Sequence, residues 1–220
     1  MTLGIGLAIL TSWLWGTSNV LARVGMKNLS STTGTLFSLI CGFVVTTVIA
    51  LLVFYEKVVN LDINLLPWLA LVGFLQFAIG RFLLFTAVRL AGVSRATPLV
   101  GSSPLVATSL AVLFAGERLS VIHAIGIGAI FIGMVVVFIQ NLEPSSISST
   151  KNIPKIRPWH DRNILLGSIA ALVSAIGFGG NQFISATRIV TETEPLIGAA
   201  FTLMFGTAFV SLFAIKDIKK

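Results

Sequence analysis

Arg81 is the residue whose chemistry most needs explaining, because it places a permanent cation in the apolar stretch "GFLQFAIGRFLLFTAV" at 73–88. Burying an arginine near the bilayer centre costs at least about 2.5 kcal/mol, so such residues usually face a cavity or a partner. Phe77 and Phe85, four residues before and after it, could stack on the guanidinium. The alternative is snorkelling to the interface. Helical side chains tilt toward the N-terminus, however, which here leads toward the membrane centre. We therefore expect Arg81 to face a wet crevice and attract an anionic group, with Phe85 as an apolar wall.

The stretch "ATPLVGSSPLVATSL" at 96–110 also predicts a cavity. Pro98 and Pro104 each remove a helical hydrogen bond and free a carbonyl. Ser102 and Ser103 lie between them. In lipid such breaks are tolerated only against protein or a water-filled cavity. The pattern indicates a cavity-lining helix, or else a kinked packing helix whose hydroxyl groups bond back to the chain.

Polar residues in two further apolar stretches could bind an organic solute. Trp15 and Asn19 share one helical face of "SWLWGTSNV" at 12–20, and Asn181 lies in "GFGGNQF" at 177–183. Hydrogen bonding between helices is the alternative role, typically worth about 0.6–2 kcal/mol. The resulting hypothesis is a substrate pathway lined by Trp15, Asn19, Gln76, Arg81, Phe85, Pro98, Ser102, Ser103 and Asn181.

The acidic residues limit the cargo. All eight lie at or outside the ends of the apolar stretches, so no carboxylate is available within the membrane to bind a cation or relay a proton. A neutral or anionic metabolite is the expected substrate. The sequence contains no phosphate loop, metal-ligand cluster or nucleophile–base pattern. We therefore expect no enzyme activity, cofactor, metal or nucleic-acid partner.

The elements that hold these residues are predicted to be membrane helices. The chain has 220 residues, of which 55% are hydrophobic and only 10% charged, whereas soluble domains carry about 25% charged residues. A helix needs roughly 20 apolar residues to cross a bilayer. Stretches of that size predict an all-α membrane protein with seven transmembrane helices, at 3–22, 35–55, 66–88, 97–115, 120–140, 164–186 and 196–214.

Three alternatives for this pattern are disfavoured. A soluble all-α protein needs polar helix faces, and 196–214 has no charge on any face. A signal peptide at the start is disfavoured by the absence of a basic first region and by Trp13 and Trp15. A retinal protein needs a lysine in its last helix and a buried counter-ion, and neither is present.

The basic residues predict the orientation. With seven spans, eleven Lys and Arg residues fall on the side of loops 1, 3 and 5 and the C-terminus, and three fall on the other side. Basic loops stay in the cytoplasm. We therefore expect the N-terminus outside and the C-terminus in the cytoplasm, in the plasma membrane of a prokaryote.

A hydrophilic linker divides the chain. Residues 141–163 are rich in Ser and Pro and separate a unit at 1–140 from one at 164–220. Laying 4–53 over 165–214 aligns Gly6 with Gly167 and Gly16 with Gly177 without gaps. Because five spans precede the linker, the two units would start on opposite faces of the membrane, as in the inverted repeats of transporters.

Two stretches resemble the EamA domain of the drug/metabolite transporter superfamily: "WLWGTSNVLARVGMK" in the first span and 87–137, "AVRLAGVSRATPLVGSSPLVATSLAVLFAGERLSVIHAIGIGAIFIGMVVV". The resemblance places Trp15, Pro98, the Ser102–Ser103 region and Glu117 at family positions but does not include Arg81. It implies one complete five-helix repeat and the first two helices of an inverted second repeat. Family members usually have ten spans and commonly start in the cytoplasm, and both points differ from this sequence.

The sequence therefore predicts a secondary transporter that moves a small metabolite, such as an amino acid or a sugar, by alternating access. A non-transporting scaffold or an inactive transporter fragment is the alternative. The expected partners are a small-molecule substrate and the lipid bilayer. Pairing with a second copy, or with a fragment that supplies three further helices, stays open.

Overall fold

The computed structural model describes residues 2–25, 31–118, 120–140 and 162–218, and these residues are helices joined by short turns, with no strand among them. We number the α-helices α1 to α9. They are α1 (Thr2–Gly25), α2 (Ser31–Val59), α3 (Leu66–Gly73), α4 (Phe82–Ala91), α5 (Val93–Val100), α6 (Ser103–Ala115), α7 (Val121–Gln140), α8 (Arg162–Ile184) and α9 (Pro195–Ile218). A 3₁₀ turn, Ile63–Leu65, precedes α3, and two π-helical turns, Phe74–Arg81 and Ser185–Ile189, follow α3 and α8.

Helix is present at every position where a span was predicted. Within the described ranges, five helical stretches are long and apolar enough to cross a membrane: Thr33–Val59, Ile63–Ala91, Val93–Ala115, Arg162–Ile189 and Pro195–Leu212. The total of seven spans and the repeat layout stay predictions. The fourth predicted span differs in detail, because it begins at Val93 and is interrupted between α5 and α6 at Gly101 and Ser102. Most of the predicted linker lies outside the described residues.

The rod formed by α3, the first π turn and α4 lies at the centre of the packing. It contacts α8 and α9, while α2 covers α9 and α8 also contacts α5 and α6. Ala91 lies against Gly167 and Gly80 against Gly177, so α8 runs antiparallel to the rod. Leu69 lies near Gly198 and Phe77 near Gly206, so α9 runs parallel to it. The rod is therefore the element that can position a site between the two halves of the chain.

Glycine allows the backbones of these helices to approach closely. A Cβ on Gly177 would lie 2.7 Å from the carbonyl oxygen of Leu75, and one on Gly73 would lie 2.6 Å from that of Thr202. Real Cβ atoms do not come so close to a backbone oxygen. Small residues at such crossings are typical of membrane helix pairs, where close packing replaces the hydrophobic effect.

The outer surface of the helices is apolar. Large side chains on α2 and α7, such as Leu52 and Ile122, are each 81% exposed. Such a surface is unsuited to water and matches hydrocarbon. The helices α1 and α7 are peripheral: α1 makes light contacts with α4 and α5, and α7 contacts α5.

Candidate functional site

The π-helical turn Phe74–Arg81 positions both polar residues that the sequence analysis singled out in the rod. The backbone N–H of Phe82 is shared between the carbonyl oxygens of Ile79 and of Phe77, and the bond to Phe77, five residues back, is the π-helical one. The buried hydroxyl of Ser174 on α8 donates to the carbonyl oxygen of Gly80 at 2.7 Å. This bond satisfies a backbone group in the irregular segment, and it ties the turn to α8. Short π-helical segments inside helices are frequent at functional sites.

A chain of three polar side chains links the two π turns. Asn181 donates through Nδ2 to Oε1 of Gln76 at 2.6 Å, and Ser185 donates through Oγ to Oδ1 of Asn181 at 3.0 Å. All three side chains are partly buried. Gln76 lies at the centre of the apolar stretch Ile63–Ala91. The chain therefore places amide groups inside the part of the protein that is long enough to cross a bilayer.

Arg81 lies five residues beyond Gln76 and is also partly buried. Its guanidinium stacks on the ring of Phe85, 5.6 Å from the centroid, as predicted. Phe85 is 5% exposed and belongs to a cluster with Val88, Val100 and Ala171. In the described part of the chain no carboxylate pairs with Arg81, since the ion pair found there joins Lys57 to Glu194. The site is therefore electropositive and held against a rigid apolar wall.

Phe77, the second aromatic residue flanking Arg81, has a different environment. It packs with Leu39, Ala78 and Val210, and its ring would meet any Cβ on Gly206. In the structure, Phe77 therefore packs the rod against α9.

An apolar plug separates this site from one end of the bundle. We use this name for Leu65, Leu69, Val72 and Ile189, which pack together with side chains of α8 and α9. Beyond the plug lies a vestibule, a cavity of about 700 Å³ lined by residues 56–57, 60–62 and 190–195. The lining contains four carboxylates and one lysine: Glu56, Asp62, Glu192, Glu194 and Lys57.

Two contacts tie the helix ends around the vestibule. Lys57 Nζ lies 2.7 Å from Oε1 of Glu194 and joins α2 to the start of α9. The guanidinium of Arg188 lies 5.3 Å from the ring centroid of Trp68 and joins the second π turn to α3. In the described part of the chain, the plug therefore lies between the vestibule and the polar chain of Gln76, Asn181 and Ser185.

The structure brings together some of the predicted pathway residues. Gln76 and Asn181 are hydrogen-bonded, and Arg81 and Phe85 are stacked. Ser102 instead donates to its own chain, to the carbonyl oxygen of Leu99 at 2.6 Å, which is the alternative given for that stretch.

For the other predicted pathway residues, the described part of the chain gives no side-chain contact with this group. Pro98 is inside α5, and Ser103 is buried against α8, where its carbonyl oxygen would lie 2.7 Å from a Cβ on Gly179. Trp15 is 45% exposed on α1. The side chain of Asn19 lies outside the described residues.

Sequence reasoning missed Ser174 and Ser185. A signal was present, because Ser174, Asn181 and Ser185 are separated by seven and four residues and so share one face of a helix. The plug residues gave no such signal, since nothing distinguishes Leu65 or Leu69 from other apolar residues before the neighbours are known.

The described helices, their apolar outer surface and the polar chain between them are typical of a helical membrane protein. A family model described as the EamA-like transporter family matches residues 2–139, which is more than half of the chain, and the chain belongs to that family. It is therefore an integral membrane protein and a transporter of the drug/metabolite transporter superfamily. The resemblance seen in the sequence is confirmed. No curated protein and no solved structure gives a significant match to the chain.

Proposed function

We propose that the protein moves a small neutral or anionic metabolite, such as an amino acid, a sugar or a related solute, by alternating access between the rod and α8. One observation carries this proposal: a hydrogen-bonded amide pair and a cation without a carboxylate partner lie inside a membrane-spanning bundle, behind an apolar plug. Ionisable residues at such depth usually mark a substrate or ion pathway.

The charge distribution supports a cargo that is not a cation. The carboxylates of the described residues lie in the vestibule and at helix ends, away from Gln76 and Arg81. A cationic solute would meet uncompensated positive charge at Arg81. An anionic or neutral solute meets hydrogen-bond donors and an aromatic wall instead.

The plug and the two ties around the vestibule support alternating access. In this structure a solute at Gln76 is separated from the vestibule by about 16 Å of helix, counting the rise from Leu65. To open on this side, the plug must part, and the Lys57–Glu194 and Arg188–Trp68 contacts must loosen. A π turn borders the plug in each of the two helical segments that form it, Phe74–Arg81 in the rod and Ser185–Ile189 after α8. We propose these turns as the points of rearrangement, since short π segments are frequent at functional sites.

The orientation follows from the charge bias of the sequence. The vestibule side holds the three basic residues of the less basic face, Lys57, Arg118 and Arg188. By the positive-inside rule this face is external. We therefore propose that the vestibule opens to the outside and that the plug is the external barrier.

The test begins with a thermal-shift screen of purified protein against amino acids, sugars and nucleotides. Compounds that stabilise the protein are then measured as radiolabelled solutes in proteoliposomes. We expect Arg81→Gln to lower the initial rate of an anionic solute at least about tenfold, because a charge-assisted hydrogen bond is lost. Arg89 is an exposed arginine on the same rod, so Arg89→Gln is the matched control. Its initial transport rate should stay within about twofold of that of the original protein.

Circular dichroism and gel filtration would establish that both variants fold. Full transport by a folded Arg81→Gln protein would refute the pathway. A protein that binds solutes but moves none of them would favour the non-transporting scaffold instead.

A further inference from the structure

Gln76 has a free donor group. Its Oε1 accepts from Asn181, whereas its Nε2 group has no hydrogen-bond partner among the described residues. The guanidinium of Arg81 stacks on Phe85 and likewise donates to no described oxygen. Amide and guanidinium N–H groups that lie within a bilayer need acceptors, because hydrocarbon supplies none. Two neighbouring donor groups of one helix are therefore left to a solute or to water.

The hydrogen-bond chain sets the direction in which Gln76 donates. Ser185 donates to the oxygen of Asn181, and the nitrogen of Asn181 donates to the oxygen of Gln76. Every step therefore runs toward Gln76 and ends at its NH₂ group. Bonds aligned in this way polarise one another and strengthen the last donor. Asn181 and Ser185 thus fix which end of the Gln76 amide is left without a partner.

The π-helical geometry reduces the angle between Gln76 and Arg81 around the axis of the rod. In an α-helix, residues five apart point about 140° away from each other. In a π-helix the bonds run from residue i to i+5, so residues five apart lie nearly one above the other. Gln76 and Arg81 are five apart within the turn Phe74–Arg81. The irregular turn therefore favours an arrangement in which both donors address one group.

We infer that Gln76 and Arg81 bind the same acceptor-only anionic group, a carboxylate or a phosphate ester, and that the substrate is a small organic anion. This rests on the proposed function and narrows it. A sugar hydroxyl or an amide both donates and accepts, so it would leave its own donors unmatched at Nε2 of Gln76 and at the guanidinium of Arg81, which only donate. Asn181 and Ser185 are positioning residues, because they act through the orientation of Gln76.

The experiment uses matched pairs of probes that differ only in charge. Purified protein in detergent is titrated with benzoate against benzamide and with glucose 6-phosphate against glucose, and the melting temperature is followed. We expect at least one anion to stabilise the protein, with its neutral partner at least about tenfold weaker. The two pairs distinguish a carboxylate from a phosphate ester, and sodium chloride at equal ionic strength controls for salt.

Variants assign the selectivity to the two donors. We expect Gln76→Glu, which replaces the donor by an acceptor, and Arg81→Gln to weaken anion binding at least about tenfold. Arg81→Lys keeps the charge but not the planar guanidinium group. Its affinity for the anion should therefore lie between that of Arg81→Gln and that of the original protein. Arg89→Gln is the control.

The positioning role of Ser185 has its own readout, which is the ratio of the affinity for the anion to the affinity for its neutral partner. Ser185→Ala should lower this ratio about threefold, and Ser185→Thr should restore it. Thr187→Val is the matched control, because the hydroxyl group of Thr187 bonds only within its own helix, to Phe183 and Ile184. A merely structural role would lower the stability without changing the ratio.

The inference is overturned if the neutral member of each pair binds as well as the anion, or if Gln76→Glu and Arg81→Gln leave the ratio unchanged. In that case, transport of a neutral solute would still support the proposed function. If no anion binds, the inference fails as well, and a protein that neither binds nor moves any solute of the panel loses both proposals.

Discussion

The helices α1 and α8 have similar glycine spacing and opposite environments. Gly167 and Gly177 of α8 lie against Ala91 and Leu75, where an added Cβ would come within 2.8 and 2.7 Å of backbone atoms. Gly6 and Gly16 of α1, the residues aligned with them in the predicted repeat, have no atom within 4 Å of an added Cβ. The side chains at 4–18 of α1 are all exposed.

This difference shows that regularly spaced glycines in a membrane helix allow close packing but do not cause it. A neighbouring helix must also be present. In α8 the rod supplies this neighbour, and the contact carries the polar chain and the bond from Ser174. In α1 the same capacity is unused within the described residues. Equivalence in sequence therefore does not predict equivalence in burial.

Alanine at the two aligned positions gives the largest expected difference. Gly177→Ala should destabilise the protein by about 1–3 kcal/mol, because its Cβ would overlap the carbonyl oxygen of Leu75 and the amide nitrogen of Gly80. Gly16→Ala should be neutral or favourable within about 1 kcal/mol, since alanine is the better helix former. Thermal unfolding in the same detergent measures both. Equal losses in the two variants would mean that α1 is packed as tightly as α8.

Removing a hydroxyl group from each helix should give a smaller difference. Ser174→Ala removes a buried bond between helices, to Gly80, and should cost about 1 kcal/mol. Ser12→Ala removes an exposed bond within α1, to Ala8, and should change stability by less than about 0.3 kcal/mol. Hydrogen exchange around Gly80 provides a second readout. It should accelerate only in Ser174→Ala, and unchanged exchange there would contradict the assigned bond.

The ion pair at the rim of the vestibule should give the smallest effect. Lys57 and Glu194 join α2 to α9 where both side chains are substantially exposed. Glu194→Gln should lower stability by less than about 1 kcal/mol, and added salt should remove the difference. Thermal unfolding at low and high salt measures this. A larger loss that persists in high salt would show that the pair is more shielded than its exposure indicates.

The helical class and the approximate spans could be predicted from the sequence, because apolar runs of fixed length have few other outcomes in a chain so poor in charge. Arg81 and Asn181 could be identified because polar side chains stand out in such runs. The pairing of Gln76 with Asn181 could not be, since it depends on the register between two helices 105 residues apart. In the sequence Trp15 and Asn181 were both candidates for the substrate pathway, but Trp15 lies on α1, a helix with few neighbours.

The break at Gly101 and Ser102 shows a different limit. Two prolines predicted an irregularity correctly, but the pattern left open where the hydroxyl groups point. Ser102 bonds to Leu99 of its own chain, and only the local backbone could decide this. The π turns had no sequence signal of their own: Phe74–Arg81 packs against α8 and α9, and Ser185–Ile189 packs against α3.

The π turn Phe74–Arg81 also explains how a single rod serves two neighbours. A π turn is equivalent to an α-helix with one residue too many, so it shifts the angular phase of everything that follows by roughly 100°. Before the turn, the rod packs Gly73 on α9, and after it the rod packs Ala91 on α8. Deleting one residue there would realign the two halves and turn the α4 face away from α8. The extra residue therefore sets which face of α4 meets α8. A sequence alignment with a relative that lacks the π turn needs a one-residue gap at this point. Without that gap, every position after the turn is assigned to the wrong face of the helix.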